Sequence, residues 1–152
     1  MKKTIIAIQG KAKRGKTATI KEFREVLKLK QECHILQEQD LLEGRIEQKD
    51  IKRIITIAYK GRQIKIGIES QGDPGSRLVT EQLKDFLDSE CDVIICACRT
   101  SGDSVNIINR VGDENGYDVI FTSPYISKSN HETLNHHKAE HVLNLVQKIV
   151  EM

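Results

Sequence analysis

The sequence predicts an α/β protein with three layers, in which helices cover both faces of a mainly parallel β-sheet. Two observations support this class. Apolar strand-like runs alternate with amphipathic helical segments along the 152 residues, and internal repeats and linkers are missing from the pattern. Two neighbouring runs have the short connection of an antiparallel hairpin instead. A chain of this length fits one domain, so residues 1–152 are expected to form a single unit.

The first strand leads directly into a glycine-rich turn. Residues 4–8 are apolar or β-branched, and Gly10 opens the pattern G-x-x-x-x-G-K-T that ends at Thr17. Such glycines let main-chain amides surround a polyphosphate, while the lysine reaches the β and γ phosphates and the hydroxyl ligates magnesium. The pattern is typical of a phosphate-binding P-loop in which Lys16 also serves catalysis. The predicted nucleotide-binding residues are Gly10, Lys11, Ala12, Lys13, Arg14, Gly15, Lys16, Thr17 and Ala18.

A helix is expected after this turn, over residues 17–30, because Ile20, Phe23 and Leu27 recur at three- to four-residue spacing. Its N-terminus would point at the bound phosphates. Residues 31–51 are charged and irregular in pattern. They predict a variable, mobile crossover that contains at most a short strand at 33–36.

The remaining elements follow in a regular order. Runs at 52–59 and 62–69 flank Lys60-Gly61, which predicts an antiparallel hairpin. The later elements alternate between helix and strand: a helix ending near 88, a strand at 92–98, a helix at 104–115, a strand at 118–122 and a helix at 132–150. Binding loops are therefore expected at the carboxyl ends of the parallel strands.

Two acids are candidates for holding magnesium. P-loop enzymes place an acid at the end of a neighbouring strand, where it holds the ion directly or through water, and Glu69 ends such a run. Asp73 offers a second carboxylate that could also activate a water or a substrate hydroxyl. It precedes Pro74, however, and Asp-Pro is also an ordinary start of a helix. The predicted magnesium ligands are Thr17, Glu69 and Asp73.

The order of a P-loop, a helix, a crossover, a hairpin and then acid-x-x-Gly, here Glu69-Ser70-Gln71-Gly72, resembles the small GTPase branch of the P-loop NTPases. The resemblance implies a three-layer α/β/α P-loop NTPase fold and binding of a magnesium–nucleotide complex. Residues 99–103 read Arg-Thr-Ser-Gly-Asp, which differs from the run that selects guanine, and residues 31–51 contain no serine or threonine that would sense the γ-phosphate. ATP is therefore expected in preference to GTP.

The chain is also similar in size and motif to small P-loop kinases of nucleosides and nucleotides, which close basic residues over the transferred phosphate. Arg99 leaves a buried strand at the ligand-facing end and is the candidate for that catalytic role. Three functions stay open from the sequence: a small ATPase or ATP-dependent switch acting on a protein partner, a kinase with a small-molecule acceptor, and a nucleotide-binding module without turnover.

Composition and charge argue against three other classes of protein: nucleic-acid-binding, membrane-spanning and secreted. The formal net charge is only +2, which gives little reason to expect nucleic acid as the main partner. No apolar stretch approaches the ~18 residues that span a bilayer, and the amino-terminal run lacks the form of a signal peptide. The four cysteines lack the spacing of a secreted disulfide framework, and Cys96 and Cys98 share one strand face. Buried reduced thiols and a cytoplasmic location are expected.

Two further features have alternative explanations. His137 and His141 lie one helical turn apart, a spacing that can hold zinc, but no third ligand is evident, and a polar helix face explains the same pattern. Tyr125 follows the last strand, where it would either stack on a purine or occupy a turn.

Overall fold

The structure is a computed structural model that describes residues 1–10, 15–42, 50–71, 83–100 and 103–152. Within these residues the chain forms six strands and four helices. The strands are β1 (Thr4–Gln9), β2 (His34–Asp40), β3 (Lys52–Tyr59), β4 (Arg62–Glu69), β5 (Val93–Cys98) and β6 (Asp118–Thr122). The helices are α1 (Lys16–Leu29), α2 (described over 83–88), α3 (Asp103–Asn115) and α4 (His131–Glu151). None of the described helices is long and apolar enough to cross a membrane.

All six strands belong to one sheet, in the order β2-β3-β4-β5-β1-β6. Strands β4, β5, β1 and β6 run parallel to one another, whereas β3 pairs antiparallel with both β2 and β4. The expected mixed α/β class with a mainly parallel sheet is confirmed. Because parallel strands end at the same edge, the last residues of β1, β4 and β5 lie near one another: Gln9, Glu69 and Cys98.

The predicted hairpin between β3 and β4 is also confirmed. Its two-residue turn has positive φ at both positions, 48° at Lys60 and 77° at Gly61. This conformation matches the right-handed twist of paired strands, and glycine adopts it without strain. The turn therefore fixes the register in which Tyr59 faces Arg62.

Apolar cores lie on the two faces of the sheet. Strand β1 contributes Ile6 to the core that includes α1 and α4, and Ile5 to the core that includes α2 and α3. Phe86 of α2 packs directly on the main chain of β4, because a Cβ at Gly67 would approach its ring to 2.5 Å. The small residue at this position lets α2 lie close to the strand that carries Glu69.

Strand β5 is buried along its whole length, as expected for a parallel strand covered on both faces. It contains Cys96 and Cys98, which are free and buried, as are Cys33 and Cys91. Burial raises the pKa of the Cys98 thiol to about 11, so this group stays protonated near neutral pH. The expected buried reduced thiols are confirmed.

The expected irregular crossover is wrong in one part, because β2 extends from His34 to Asp40 and makes a second antiparallel pair with β3. The sequence of β2 is polar and its register shifts between Ile35 and Gln37, so periodicity alone does not identify it. Side-chain charge holds it in place. The Glu38 carboxylate accepts hydrogen bonds from Arg24 of α1 at 2.6 and 3.1 Å and from Arg53 of β3 at 2.7 Å.

Candidate functional site

The start of α1 requires glycine at position 15. Gly15 has φ +84°, a left-handed conformation, and its carbonyl accepts the first helical hydrogen bond from the Thr19 N–H at 2.9 Å. A Cβ at this position would also lie 2.9 Å from Oδ1 of Asn135 in α4. The left-handed backbone therefore disfavours any larger residue here, and the Asn135 side chain would have to shift to admit one. Asn135 is a contact that the sequence analysis did not identify.

Lys16 occupies the first position of α1 and is only 6% exposed. Its ammonium donates to the carbonyl of Gly10 at 2.7 Å and to that of Cys98 at 3.2 Å. The Gly10 N–H donates in turn to the Cys98 carbonyl at 3.0 Å, which joins the ends of β1 and β5. The Lys16 ammonium is thus held by two carbonyl oxygens at the carboxyl edge of the sheet, next to a helix N-terminus that favours an anion.

Thr17 links α1 to the end of β4. Its hydroxyl donates to the main-chain carbonyl of Ser70 at 3.0 Å. Ser70 is fully buried, and its hydroxyl donates to Asp50 at 3.0 Å while it accepts the Ile51 N–H at 2.8 Å. Ser70, the residue after Glu69, therefore joins the first turn of α1 to the segment that precedes β3. Sequence reasoning missed this role, and the only signal for it was the position of Ser70 directly after the predicted acid.

Glu69 is the last residue of β4 and is 2% exposed. Its carboxylate accepts the Gln71 N–H at 3.1 Å and lies 3.9 Å from the Lys52 ammonium. Burial raises the pKa of this carboxyl to about 7, although the Gln71 N–H and the Lys52 charge lower it, and nearby Asp50 and Asp85 raise it further.

The Lys52 ammonium is shared between two acids, and it lies closer to the second one. It contacts Asp85 of α2 at 2.7 Å, compared with 3.9 Å for Glu69. Of the charge on an ionised Glu69, Lys52 consequently neutralises only a part. A divalent cation at this point would favour the ionised form, since opposite charge lowers the pKa of an acid.

The donors near Glu69 suit a hard cation. A hydroxyl and carboxylate oxygens are the ligands that Mg²⁺ accepts, and this ion usually takes only one or two protein carboxylates together with water and substrate phosphates. Of the predicted magnesium ligands, the structure describes Thr17 and Glu69, and the Thr17 hydroxyl contacts Ser70, the residue after Glu69. Over the described part of the chain there is no group of three or more His, Cys, Asp or Glu residues that could hold a metal by itself.

Arg99 and Ala18 are exposed, in contrast to Lys16. Arg99 directly follows β5, so it lies at the same edge of the sheet as Gly10. Its main-chain N–H donates to the Ser104 hydroxyl at 3.4 Å. Next to it, the Thr100 carbonyl accepts a hydrogen bond from the Gln9 amide at 3.2 Å. The segment after β5 is thereby attached to the end of β1.

Some predicted site residues lie outside the described residues: Lys11, Ala12, Lys13, Arg14 and Asp73. Among the described residues, Gly10, Gly15, Lys16, Thr17 and Glu69 come together at one edge of the sheet, and Lys52, Asp85, Ser70 and Asn135 join them from other segments. No protein-family model, curated protein or solved structure matches this chain. The chemistry of these side chains is accordingly what indicates function.

Proposed function

We propose that the chain is a P-loop NTPase that binds Mg-ATP and works as a small ATPase or an ATP-dependent switch on a protein partner. The proposal includes a three-layer α/β/α P-loop NTPase fold. Strand β1 lies between β5 and β6 and leads toward the left-handed Gly15 and α1, which supports that fold. Helix-containing cores on the two faces of the sheet support it as well.

One observation carries the proposal: a buried lysine ammonium and a threonine hydroxyl lie at the start of α1, next to the end of the strand that carries a buried acid. The Lys16 ammonium lies beside Gly10, and the Thr17 hydroxyl reaches the main chain one residue beyond Glu69. Phosphate oxygens would accept from the Lys16 ammonium and from main-chain N–H groups at the helix start. A ligand that carries both negative charge and a cation fits this edge best.

In this proposal Thr17 and Glu69 hold the magnesium ion, directly or through water. The ion, when bound with the nucleotide, would neutralise part of the negative charge of the phosphates. The protein residues orient these groups: the Ser70 carbonyl holds the Thr17 hydroxyl next to the end of β4, and Lys52 places a positive charge 3.9 Å from Glu69. ATP is proposed in preference to GTP because residues 99–103 differ from a guanine-selecting run.

Lys16→Ala tests the proposal. We expect ATP affinity to fall by about 10- to 100-fold, because a charge-assisted hydrogen bond contributes about 1.5–3 kcal/mol. ATP and GTP should be titrated by calorimetry with and without magnesium, and ATP should bind more tightly than GTP. Lys65→Ala is the matched control, since that lysine also donates to a main-chain carbonyl, of Ser89 at 3.0 Å, but from the middle of β4. ATP affinity that is equal in the Lys16 variant and the wild type would contradict the proposal.

The exposure of Arg99 at the carboxyl edge of the sheet favours a second candidate, a kinase with a small-molecule acceptor. An arginine there would reach the transferred phosphoryl group. Incubation with ATP and a panel of nucleosides, nucleotides and other small metabolites tests this candidate. Phosphorylation of one acceptor, lost in Arg99→Ala, would favour the kinase. ATP hydrolysis with no phosphorylated acceptor would favour the ATPase, and tight binding with neither reaction would indicate a nucleotide-binding module without turnover.

The proposal places the protein in the cytoplasm. The four described cysteines are free and buried, which fits a reducing compartment.

A further inference from the structure

An imidazole pair projects from α4 beside the segment that follows β6. The rings of His137 and His141 have centroids 4.5 Å apart. Tyr125 lies against both: its ring stacks on His137 at 5.9 Å with an interplanar angle of 22°, and its hydroxyl is 2.7 Å from Nδ1 of His141. All three residues are exposed, so solvent ions reach them.

The fold holds these three side chains together. His137 and His141 share one face of α4 because residues four apart in a helix are neighbours. Lys138, the residue after His137, also contacts Tyr125, because its ammonium lies 5.5 Å from the centre of the Tyr125 ring. The same ammonium donates to the Thr122 hydroxyl at the end of β6 at 2.7 Å. The same contacts already occupy the Tyr125 ring, which argues against its use as a free surface for stacking a purine.

We propose that His137 and His141 bind a late first-row divalent cation such as Zn²⁺, Cu²⁺ or Ni²⁺, with Tyr125 orienting His141. Two nitrogens that bind one Zn²⁺ at ~2.0–2.1 Å lie roughly 3.3 Å apart in a tetrahedral site, a separation compatible with ring centroids 4.5 Å apart. In the proposed site His141 carries its proton on Nδ1, which lies 2.7 Å from the Tyr125 oxygen, and the Nε2 lone pair binds the metal, as in many protein sites where the second ring nitrogen is hydrogen-bonded to oxygen.

The remaining coordination positions are open to water or to an exogenous ligand. Imidazole nitrogens suit Zn²⁺, Cu²⁺ and Ni²⁺ but not Mg²⁺, so this site differs in chemistry from the one proposed at Glu69. Its neighbour His136 is engaged elsewhere, with Nδ1 2.7 Å from Glu22 and Nε2 3.4 Å from Glu140. The nearby charge of Lys138 opposes a cation, and its hydrogen bond to Thr122 directs that charge toward β6.

Calorimetric titration of the full, metal-free chain with ZnCl₂ and NiCl₂, without nucleotide, tests the site. We expect one saturable site whose affinity falls at least tenfold in His137→Asn and in His141→Asn. Tyr125→Phe should lower it about tenfold, in line with the effect of removing an outer-shell partner. His34→Asn, which removes an exposed histidine of β2, and Glu69→Gln should both leave it unchanged.

Two results would overturn the inference: no saturable binding by the wild type, or equal binding by the wild type and both α4 histidine variants. Because the substituted side chains are exposed, unfolding is not expected to account for a loss, and an unchanged melting temperature of each variant in the absence of metal checks this. A loss of metal binding in Glu69→Gln alone would assign the ion to the other site and would equally overturn it.

Discussion

Two glutamates of the same sheet have opposite environments. Glu38 of β2 lies between two guanidinium groups, and the pKa of its carboxyl is lowered, chiefly by the hydrogen bond from Arg24. Among the residues that the structure describes, Glu69 of β4 pairs with one ammonium, that of Lys52 at 3.9 Å, and burial raises the pKa of its carboxyl to about 7. Both residues belong to strands that pair with β3.

The difference separates a structural acid from one that can respond to a ligand. Glu38 is fully engaged, so another cation would gain little by approaching it. Glu69 is desolvated and only partly neutralised, which is the condition under which binding sites perturb the pKa of an acid. Glu69 is therefore a stronger candidate for a cation ligand than Glu38, although Glu38 has the better ion-pair geometry.

Substitution of Glu69 and of Glu38 should differ most in its effect on magnesium-dependent ATP affinity. Glu69→Gln should lower it by about 10- to 100-fold, the range for outer-shell partners of a metal site, whereas Glu38→Gln should leave it within about twofold. Calorimetric titration of ATP at several magnesium concentrations measures both variants. Equal losses in both would show that the environment of Glu69 is not specific to cation binding.

The contributions of Glu38 and Glu69 to the free energy of unfolding should change in opposite directions as pH rises. The lowered pKa of Glu38 means that its stabilising contribution is present above the unfolded pKa of about 4.3 and is lost as pH falls through the folded value. Glu38→Gln should therefore cost about 1–2 kcal/mol of unfolding free energy at pH 7, since it leaves two arginines without their anion, and the cost should be smaller at pH 3.

For Glu69 the folded state binds the proton more tightly, so the free energy of unfolding falls as pH rises between about 4.5 and about 7. The stability of Glu69→Gln relative to the wild type should consequently be greater at pH 8 than at pH 5, by about 2–3 kcal/mol. Urea unfolding of both variants and the wild type at these pH values provides the measurement. A Glu69 variant whose stability relative to the wild type stays constant or falls as pH rises would contradict the raised pKa.

A smaller effect is expected at Lys52, which faces Glu69 and Asp85. Lys52→Gln removes a positive charge that repels a divalent cation, so magnesium-dependent ATP affinity should rise about two- to fivefold at pH 9, where Glu69 is ionised in both proteins. Lys65→Gln is the control on the same strand. A fall in affinity at pH 9 would instead indicate that Lys52 positions the Glu69 carboxylate.

Most of the fold was predictable because its signals are local. The periodicity of α1, the two-residue turn at Lys60-Gly61 and the apolar run of β5 each depend on neighbouring residues. The clustering of Gly10, Gly15, Lys16 and Thr17 follows from one contiguous motif. Strand β2 was underestimated because its stability depends on Arg24 and Arg53, which precede and follow Glu38 by 14 and 15 residues.

The surroundings of the site could not be predicted in the same way. Ser70 follows the predicted acid, but its hydrogen bonds to Asp50 and Ile51 cross from β4 to the segment before β3. Asn135 reaches Gly15 from α4, which is the last helix of the chain. Such contacts between distant segments leave no periodic signal in the sequence.

The sequence by itself determined where a glycine, a lysine and a threonine follow the first strand, and which run ends in an acid. Only the tertiary structure decided that Glu69 would be desolvated beside the Lys52 ammonium, which it shares with Asp85, while Glu38 would meet two guanidinium groups. The physical reason is that the pKa of a carboxyl depends on burial and on charges within a few ångströms, and those neighbours come from segments that are brought together only when the sheet and its helices assemble.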